Sequence, residues 1–411
     1  MDAAITLVNI KGLVQVREVG QGRVAGASMS ELPVVPDAFL ILDKGHIRDF
    51  GPMPSLPEQR GQVIDCSGRF VFPGWVDSHT HLVFARSREE EFVMKIEGAT
   101  YQQIAAAGGG ILNSARALAG MSEDELFEVS VKRAWEILRT GTVAVEIKSG
   151  YGLAVQDELK MLRVARRIGR ETPLIVKTTF LGAHAVPAGT TKAAYIDLVI
   201  NDMMPAIARE GLADYVDVFC ENGFFSPEES VRILEAGKKH GWRPRVHANQ
   251  LGHSGGVKVG IQTGAASVDH LEHLNDDEIN QLGGTDVMPT ALPGAAFFLN
   301  LPYPPARRMI QAGLPVAIAT DYNPGSAPSG NMLMNQSLAC IGMRMTPAEV
   351  FNACTLNTAA SLNMLDTHGS ITRGKAASVI ISKPMPSIAF GPYSFGSHWI
   401  EHVIAGGKII Q

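Results

Sequence analysis

The sequence predicts an α/β protein: a (β/α)8 TIM barrel with a small β-sandwich domain built from both termini. Two observations carry this. Eight apolar strand candidates alternate with amphipathic helical stretches over about 250 residues, the pattern of a closed barrel. Short strand–turn–strand text brackets that region on both sides. A doubly wound open sheet is the alternative, and no G-x-G-x-x-G follows an early strand to support it. The expected boundaries are 1–70 and 370–411 for a composite small β domain, and 71–369 for the barrel.

The elements follow in order. Residues 5–10 read as a strand. Residues 38–42 and 46–50 read as a hairpin about Asp43, Lys44 and Gly45. The Pro- and Gly-rich stretch 51–61 reads as loop, and 63–66 returns to β text. The barrel strands are expected at 75–82, 143–148, 174–181, 215–221, 245–249, 267–271, 286–291 and 315–321. Helical text lies between them at 122–140, 155–170, 192–211, 226–240 and 276–282. Strands at 379–382, 400–404 and 408–410, the last two joined by Gly406 and Gly407, close the chain.

The chain has 411 residues, 45% hydrophobic and 19% charged, with a net charge of −5. That is ordinary globular composition, and no basic field is present to draw nucleic acid or an anionic membrane. The four cysteines, Cys66, Cys220, Cys340 and Cys354, lie far apart, which argues against a disulfide framework or a cysteine zinc site. The first residues lack the basic start and apolar run of a signal peptide. No apolar stretch is long enough for a membrane span, so the cytoplasm is the expected compartment.

The chemistry gathers at the expected strand ends. His79 and His81 alternate along one strand and project to the same side. Alone, such a pair is weak evidence and reads more readily as two structural histidines than as a site. His247, His270 and Asp321 end three further strands, and His184 follows another. In a barrel the C-terminal strand ends converge, and charged groups there are costly to bury without a partner or an ion. His79, His81, His247 and Asp321 form a three-nitrogen, one-oxygen set suited to one divalent or trivalent ion, zinc or iron, with a position left for water. Such an ion lowers the pKa of its water toward ~7. His270 then fits a general base and acid, with a fifth ligand or a supporting partner as the plainer reading.

The run VFPGWVDSHTHL at 71–82 resembles the opening motif of the amidohydrolase superfamily. The stretch GSITRGKAASVII at 369–381 resembles the return into that superfamily's β domain, with Ala377-Ser378 where Ala-Asp is usual. Narrower blocks, FARSREEE (84–91), AGGGI (107–111), EIKSGYGL (146–153), LGAHAVP (181–187) and ATDYNPGS (319–326), are similar to one branch. That branch opens 4-imidazolone-5-propanoate with water to give N-formimidoyl-L-glutamate in histidine degradation.

The resemblance implies that His79, His81, His247 and Asp321 hold the metal, whose hydroxide attacks the ring carbonyl, and that His270 and Asp321 serve catalysis. It implies that Arg88, Tyr101, Tyr151, His184, Gln250, Asn323, Gly325 and Ser326 meet the small-molecule substrate. Arg88 fits a propionate, because a guanidinium can grip a carboxylate with two hydrogen bonds. The plainer reading of Arg88 is an ion pair with Glu89, Glu90 or Glu91. Some relatives carry Glu where this chain has Gln250; an amide cannot shuttle a proton, so the ring-orienting role is expected there.

Lys148 ends the second expected strand rather than the fourth, which favours one metal over a lysine-bridged pair. Cys220 and Glu221 remain bridging candidates. The rival readings are a heterocycle deaminase, against which Gln250 speaks, and a catalytically inactive scaffold, which the complete ligand set opposes. A homodimer is expected from the resemblance, and Gly108, Gly109 and Gly110 suit a closing loop.

Overall fold

A computed structural model of the chain describes residues 4–58, 61–99, 103 and 109–410. Two sheets organise the fold. The first begins with β1 (Ile5–Val14), β2 (Val34–Asp43), β3 (His46–Pro52), β4 (Gln62–Asp65) and β5 (Phe70–Pro73). It is completed from the far end of the chain by β14 (Val379–Ser382), β15 (Ile400–Ala405) and β16 (Lys408–Ile410). The β2–β3 hairpin turns on Lys44 and Gly45, both with positive φ (49° and 76°), the conformation that matches the twist of a two-residue hairpin.

β1 is longer than its expected extent and changes partner along its length. Ile5 to Val8 pair in parallel with β4, and Gly12 and Leu13 pair with β5. The switch falls at an irregularity between Leu7 and Ile10, where Asn9 has φ 55°. Alternating residues bury Leu7, Leu13, Leu40, Val71, Val379 and Ile404 in one core shared by the two chain ends.

The second sheet is the barrel: β6 (Trp75–Thr80), β7 (Thr142–Lys148), β8 (Ile175–Ala183), β9 (Tyr215–Cys220), β10 (Arg243–Ala248), β11 (Ser267–His270), β12 (Met288–Ala291) and β13 (Ala317–Ile318). Each pairs in parallel with the next. The ring closes between last and first: Asp321 N donates to His79 O at 3.0 Å and His81 N donates to Tyr322 O at 2.9 Å. This closure excludes the open doubly wound sheet. All eight C-terminal strand ends therefore share one mouth.

The helices between strands follow the sequence text. Glu123–Arg139 starts at a capping box in which Ser122 and Glu125 satisfy each other's backbone N–H. Val155–Glu171 and Pro227–Lys238 occupy the expected places. The expected helix 192–211 is broken by a π-helical turn at Val199–Met203. Pro205, just beyond, has no N–H for the regular ladder, which loosens the hydrogen bonding at this point. No helix of the described residues is long and apolar enough to cross a membrane.

Candidate metal centre

The strand ends bring His79, His81, His247, His270 and Asp321 together at the barrel mouth, all buried. His79 Nε2 lies 3.4 Å and His81 Nε2 3.6 Å from Asp321 Oδ1. His247 Nε2 lies 3.4 Å from His81 Nε2. Two ligand groupings have donor atoms all within 4.8 Å of one another: His79, His81 and Asp321, and His79, His247 and His270.

The hydrogen bonding says which nitrogen is free for an ion. His79 Nδ1 lies 2.7 Å from Asp269 Oδ2, so this nitrogen carries the proton and donates. His79 Nε2 is then a bare lone pair, and it is buried without a hydrogen-bond partner. His247 has a looser version: its Nδ1 stands 3.1 Å from Asp217 Oδ2, an ion-pair contact outside hydrogen-bond geometry, and its Nε2 faces His81. A carboxylate behind each imidazole is the arrangement that fixes tautomer and ring angle in metal-ligating histidines.

Electrostatics keeps the imidazoles in ligand form. Burial, reinforced by Lys148, holds His79 well below the ordinary imidazole range, and burial with His184 does the same for His81. Burial also lowers His247, against the pull of Asp217. Burial raises Asp321 to about 6, opposed by His270. His270 differs. Burial works against its charge, but Glu272, 3.4 Å from Nδ1, together with Asp321 and Asp269, outweighs burial and raises its pKa.

Local backbone explains how two residues reach the mouth. Asp269 and His270 are adjacent on β11, and strict alternation would send them to opposite faces. The chain turns into the left-handed region at His270 (φ 86°) and Leu271 (φ 70°), where it leaves the ladder. Asp321 is likewise left-handed (φ 56°), three residues beyond β13, so it lies past the strand rather than at its end. Left-handed non-glycine residues are sparse in proteins and concentrate at functional sites. Ser326 Oγ donates to Asp321 Oδ2 at 3.2 Å, which leaves Oδ1 facing His79 and His81.

Beneath the mouth the barrel interior is ionic. Lys148 Nζ lies 2.8 Å from both Glu146 and Asp217 and 3.9 Å from Asp269. Arg245 lies 3.3 Å from Asp269 and donates to Ser78 O at 2.8 Å. All five side chains are fully buried. Lys148 is thus enclosed by carboxylates below the mouth. Glu221 accepts backbone N–H groups of Asn222, Gln250 and Leu251, so it is committed to its loop. Neither Glu221 nor Cys220 joins a ligand grouping among the described residues.

A cleft of about 770 Å3 opens above the cluster, reaching His81, His247, His270 and Asp321. Its walls include Arg88, Tyr151, His184, Gln250, Asn323, Gly325 and Ser326; Tyr101 falls outside the described residues. His184 stacks on His81 with centroids 5.2 Å apart, and its Nδ1 is 3.0 Å from Gly150 O, which leaves Nε2 for the cleft. Gly150 (φ 114°) permits this, since a Cβ there would lie 2.9 Å from His184 Nδ1.

Arg88 forms the ion pair of the plainer reading and also lines the cleft. Its Nε and Nη2 donate to Glu91 Oε2 at 3.0 and 2.7 Å. Asn323 is absorbed by its own loop: its amide donates to Asp321 O and Ser326 Oγ and accepts from Gly325 N and Ser326 N.

Sequence reasoning missed Asp217, Asp269 and Glu272. Asp217 and Asp269 each carried a signal, an acid inside an otherwise apolar strand, which is costly without a buried partner.

The chain belongs to the amidohydrolase family, whose family model matches residues 70–410. It is 53% identical to an imidazolonepropionase from Flavobacterium johnsoniae over 410 residues, covering 99% of this chain and 100% of that one. It is 51% identical to an imidazolonepropionase from Christiangramia forsetii, with 99% and 100% covered. At 41% identity it matches an imidazolonepropionase from Geobacillus kaustophilus, with 93% and 92% covered. Within the amidohydrolases it therefore groups with the imidazolonepropionases.

Solved structures of similar fold include an atrazine chlorohydrolase from Arthrobacter aurescens complexed with zinc. Its TM-score is 0.75 at 16% identity, with 98% of this chain and 94% of that chain covered. An adenosine deaminase from Xanthomonas campestris with bound zinc scores 0.74 at 15% identity, with 98% and 92% covered. At these identities the likeness concerns the fold.

Proposed function

We infer that this chain is an imidazolonepropionase, a hydrolase of histidine degradation that opens 4-imidazolone-5-propanoate to N-formimidoyl-L-glutamate. The carrying observation is the convergence of the His79, His81 and His247 rings and an Asp321 oxygen at the foot of a cleft walled by Arg88, with His79 Nε2 buried without a hydrogen-bond partner. His79, His81, His247 and Asp321 would hold one ion, zinc or iron. When bound, that ion supplies Lewis-acid activation of water and of the ring carbonyl.

The chain's own residues supply the rest. His79 is held by its hydrogen bond to Asp269, and Asp217 stands 3.1 Å behind His247, so little reorganisation accompanies the reaction. His270, its proton affinity raised by Glu272, takes a proton from the attacking water and returns it to the departing ring nitrogen. The oxygen of water joins the carbonyl carbon, and the C–N bond breaks. Arg88 holds the propionate, while Tyr151, His184 and Gln250 confine the planar ring. Asn323 and Gly325 shape the loop beside it, and Ser326 orients Asp321. Tyr101 is proposed as a further substrate contact on the resemblance alone. The homodimer is proposed on the same ground, and the division of the chain into a barrel at 71–369 and a composite β domain is proposed from the strand pattern.

The test is purified protein with freshly made 4-imidazolone-5-propanoate, following ring absorbance and product by mass spectrometry, with metal content measured in the same sample. Stoichiometric N-formimidoyl-L-glutamate is expected. Ammonia release from a purine panel, with the imidazolone untouched, would instead establish a deaminase.

A further inference from the structure

We propose that Lys95 is a second cationic anchor for the substrate's propionate, acting beside Arg88 to select the carboxylate over a neutral side chain. The inference rests on the ring-opening reading above and extends it to substrate selection.

Lys95 sits in the last turn of the helix Glu89–Ile96, seven residues after Arg88. Arg88 caps the start of that helix with non-helical backbone, and both side chains line the cleft. Both also meet Gly325. Lys95 Nζ lies 3.4 Å from Gly325 O, and a Cβ at Gly325 would stand 2.3 Å from Arg88 Nη1. Gly325 therefore lets two cations close on one point of the wall, in the loop that leaves Asp321.

The bonding of Arg88 shows why a second cation has work to do there. Glu91 takes Nε–H and one Nη2–H, so it already neutralises Arg88 and leaves the Nη1–Nη2 end for the cleft. A second cation beside that end restores the net positive charge that a carboxylate needs. Lys95 carries three donors, of which Gly325 O occupies one. Among the described residues no carboxylate lies within ion-pair distance of it, and Glu91 is committed to Arg88, Gly110 N and Asn113. A half-buried ammonium with no direct ion pair is costly until an anion arrives. Its other neighbour is the Phe298 ring, whose centre lies 5.9 Å from Nζ in a cation–π contact. The plainer reading is a helix-end lysine that complements the helix dipole and touches nothing in the substrate.

The experiment compares wild-type, Lys95→Met and Lys95→Arg holoenzymes on 4-imidazolone-5-propanoate and on its propanamide analogue. Metal content and melting temperature are checked for each. Loss of a charge-assisted hydrogen bond predicts that Lys95→Met raises KM for the acid by about 10- to 100-fold, with kcat nearly unchanged. Its constants for the amide should stay at wild-type values, and Lys95→Arg should recover most of the loss on the acid. Equal losses on acid and amide, or wild-type constants on the acid, overturn the role of Lys95 while the ring-opening reading stands. A wild-type enzyme inert to the acid overturns both.

Discussion

Replacing Asp269 by Asn isolates the support behind one metal ligand. The side chain keeps its shape and loses its charge. Asp269 Oδ2 accepts from His79 Nδ1 at 2.7 Å, the shortest of the contacts that orient the cluster. The amide can still accept there, but through a neutral oxygen, and its NH2 end would favour the wrong tautomer. Loss of such a partner typically weakens metal binding 10- to 100-fold, or about 1.4–2.8 kcal/mol. The fold should survive. Lys148 keeps Glu146 and Asp217 at 2.8 Å, and Arg245 keeps Ser78 O at 2.8 Å and Ser361 O at 3.4 Å. The stability cost is bounded by the roughly 3–5 kcal/mol of a broken buried ion pair. The assay is zinc titration of metal-stripped protein against a chromophoric chelator, with circular dichroism to monitor folding. A natively folded variant that binds zinc within twofold of wild type would refute the reasoning.

The remaining expectations concern turnover and pH. His270→Ala should lower kcat by about 10²–10⁴-fold while keeping its metal, as removal of a general acid–base does; loss of metal by elemental analysis would make His270 a ligand instead. Arg88→Ala should raise KM more than it lowers kcat in steady-state kinetics, and the opposite split would argue against carboxylate binding there. His368 offers a stability test away from the cluster. Burial, with Lys375, lowers its pKa from 6.5 to about 4, and its Nε2 is buried without a partner. Between those pH values the unfolded chain takes up a proton that the folded chain refuses, so stability falls as pH falls, by about 3 kcal/mol in all. His368→Gln should flatten that part of a denaturant-melt series between pH 6.5 and 4; an unchanged slope would remove His368 as the cause.

Much of this was legible in the sequence, and the exceptions have physical causes. The barrel strands were readable because buried parallel strands are continuous apolar runs. The pairing of His79 with His81 was readable because alternation fixes which residues share a face. The common reach of Asp269 and His270 was hidden, since it depends on left-handed backbone at the end of β11. The ionic interior was hidden for another reason. Lys148, Asp217, Asp269 and Arg245 come from four different strands, and nothing local says that they meet. Lys95 is concealed by its own helix, where a lysine in the last turn looks like an ordinary end-charge. The break at Val199–Met203 was available from Pro205, but the surrounding apolar periodicity outweighs a single proline in a helical reading.

The most direct test is a crystal of protein grown with zinc, with diffraction recorded on both sides of the zinc absorption edge. One anomalous peak within about 2.0–2.2 Å of the Nε2 atoms of His79, His81 and His247 and of an Asp321 oxygen is the expected result. A peak elsewhere, or no zinc or iron between these four side chains in protein that retains activity, would contradict the account.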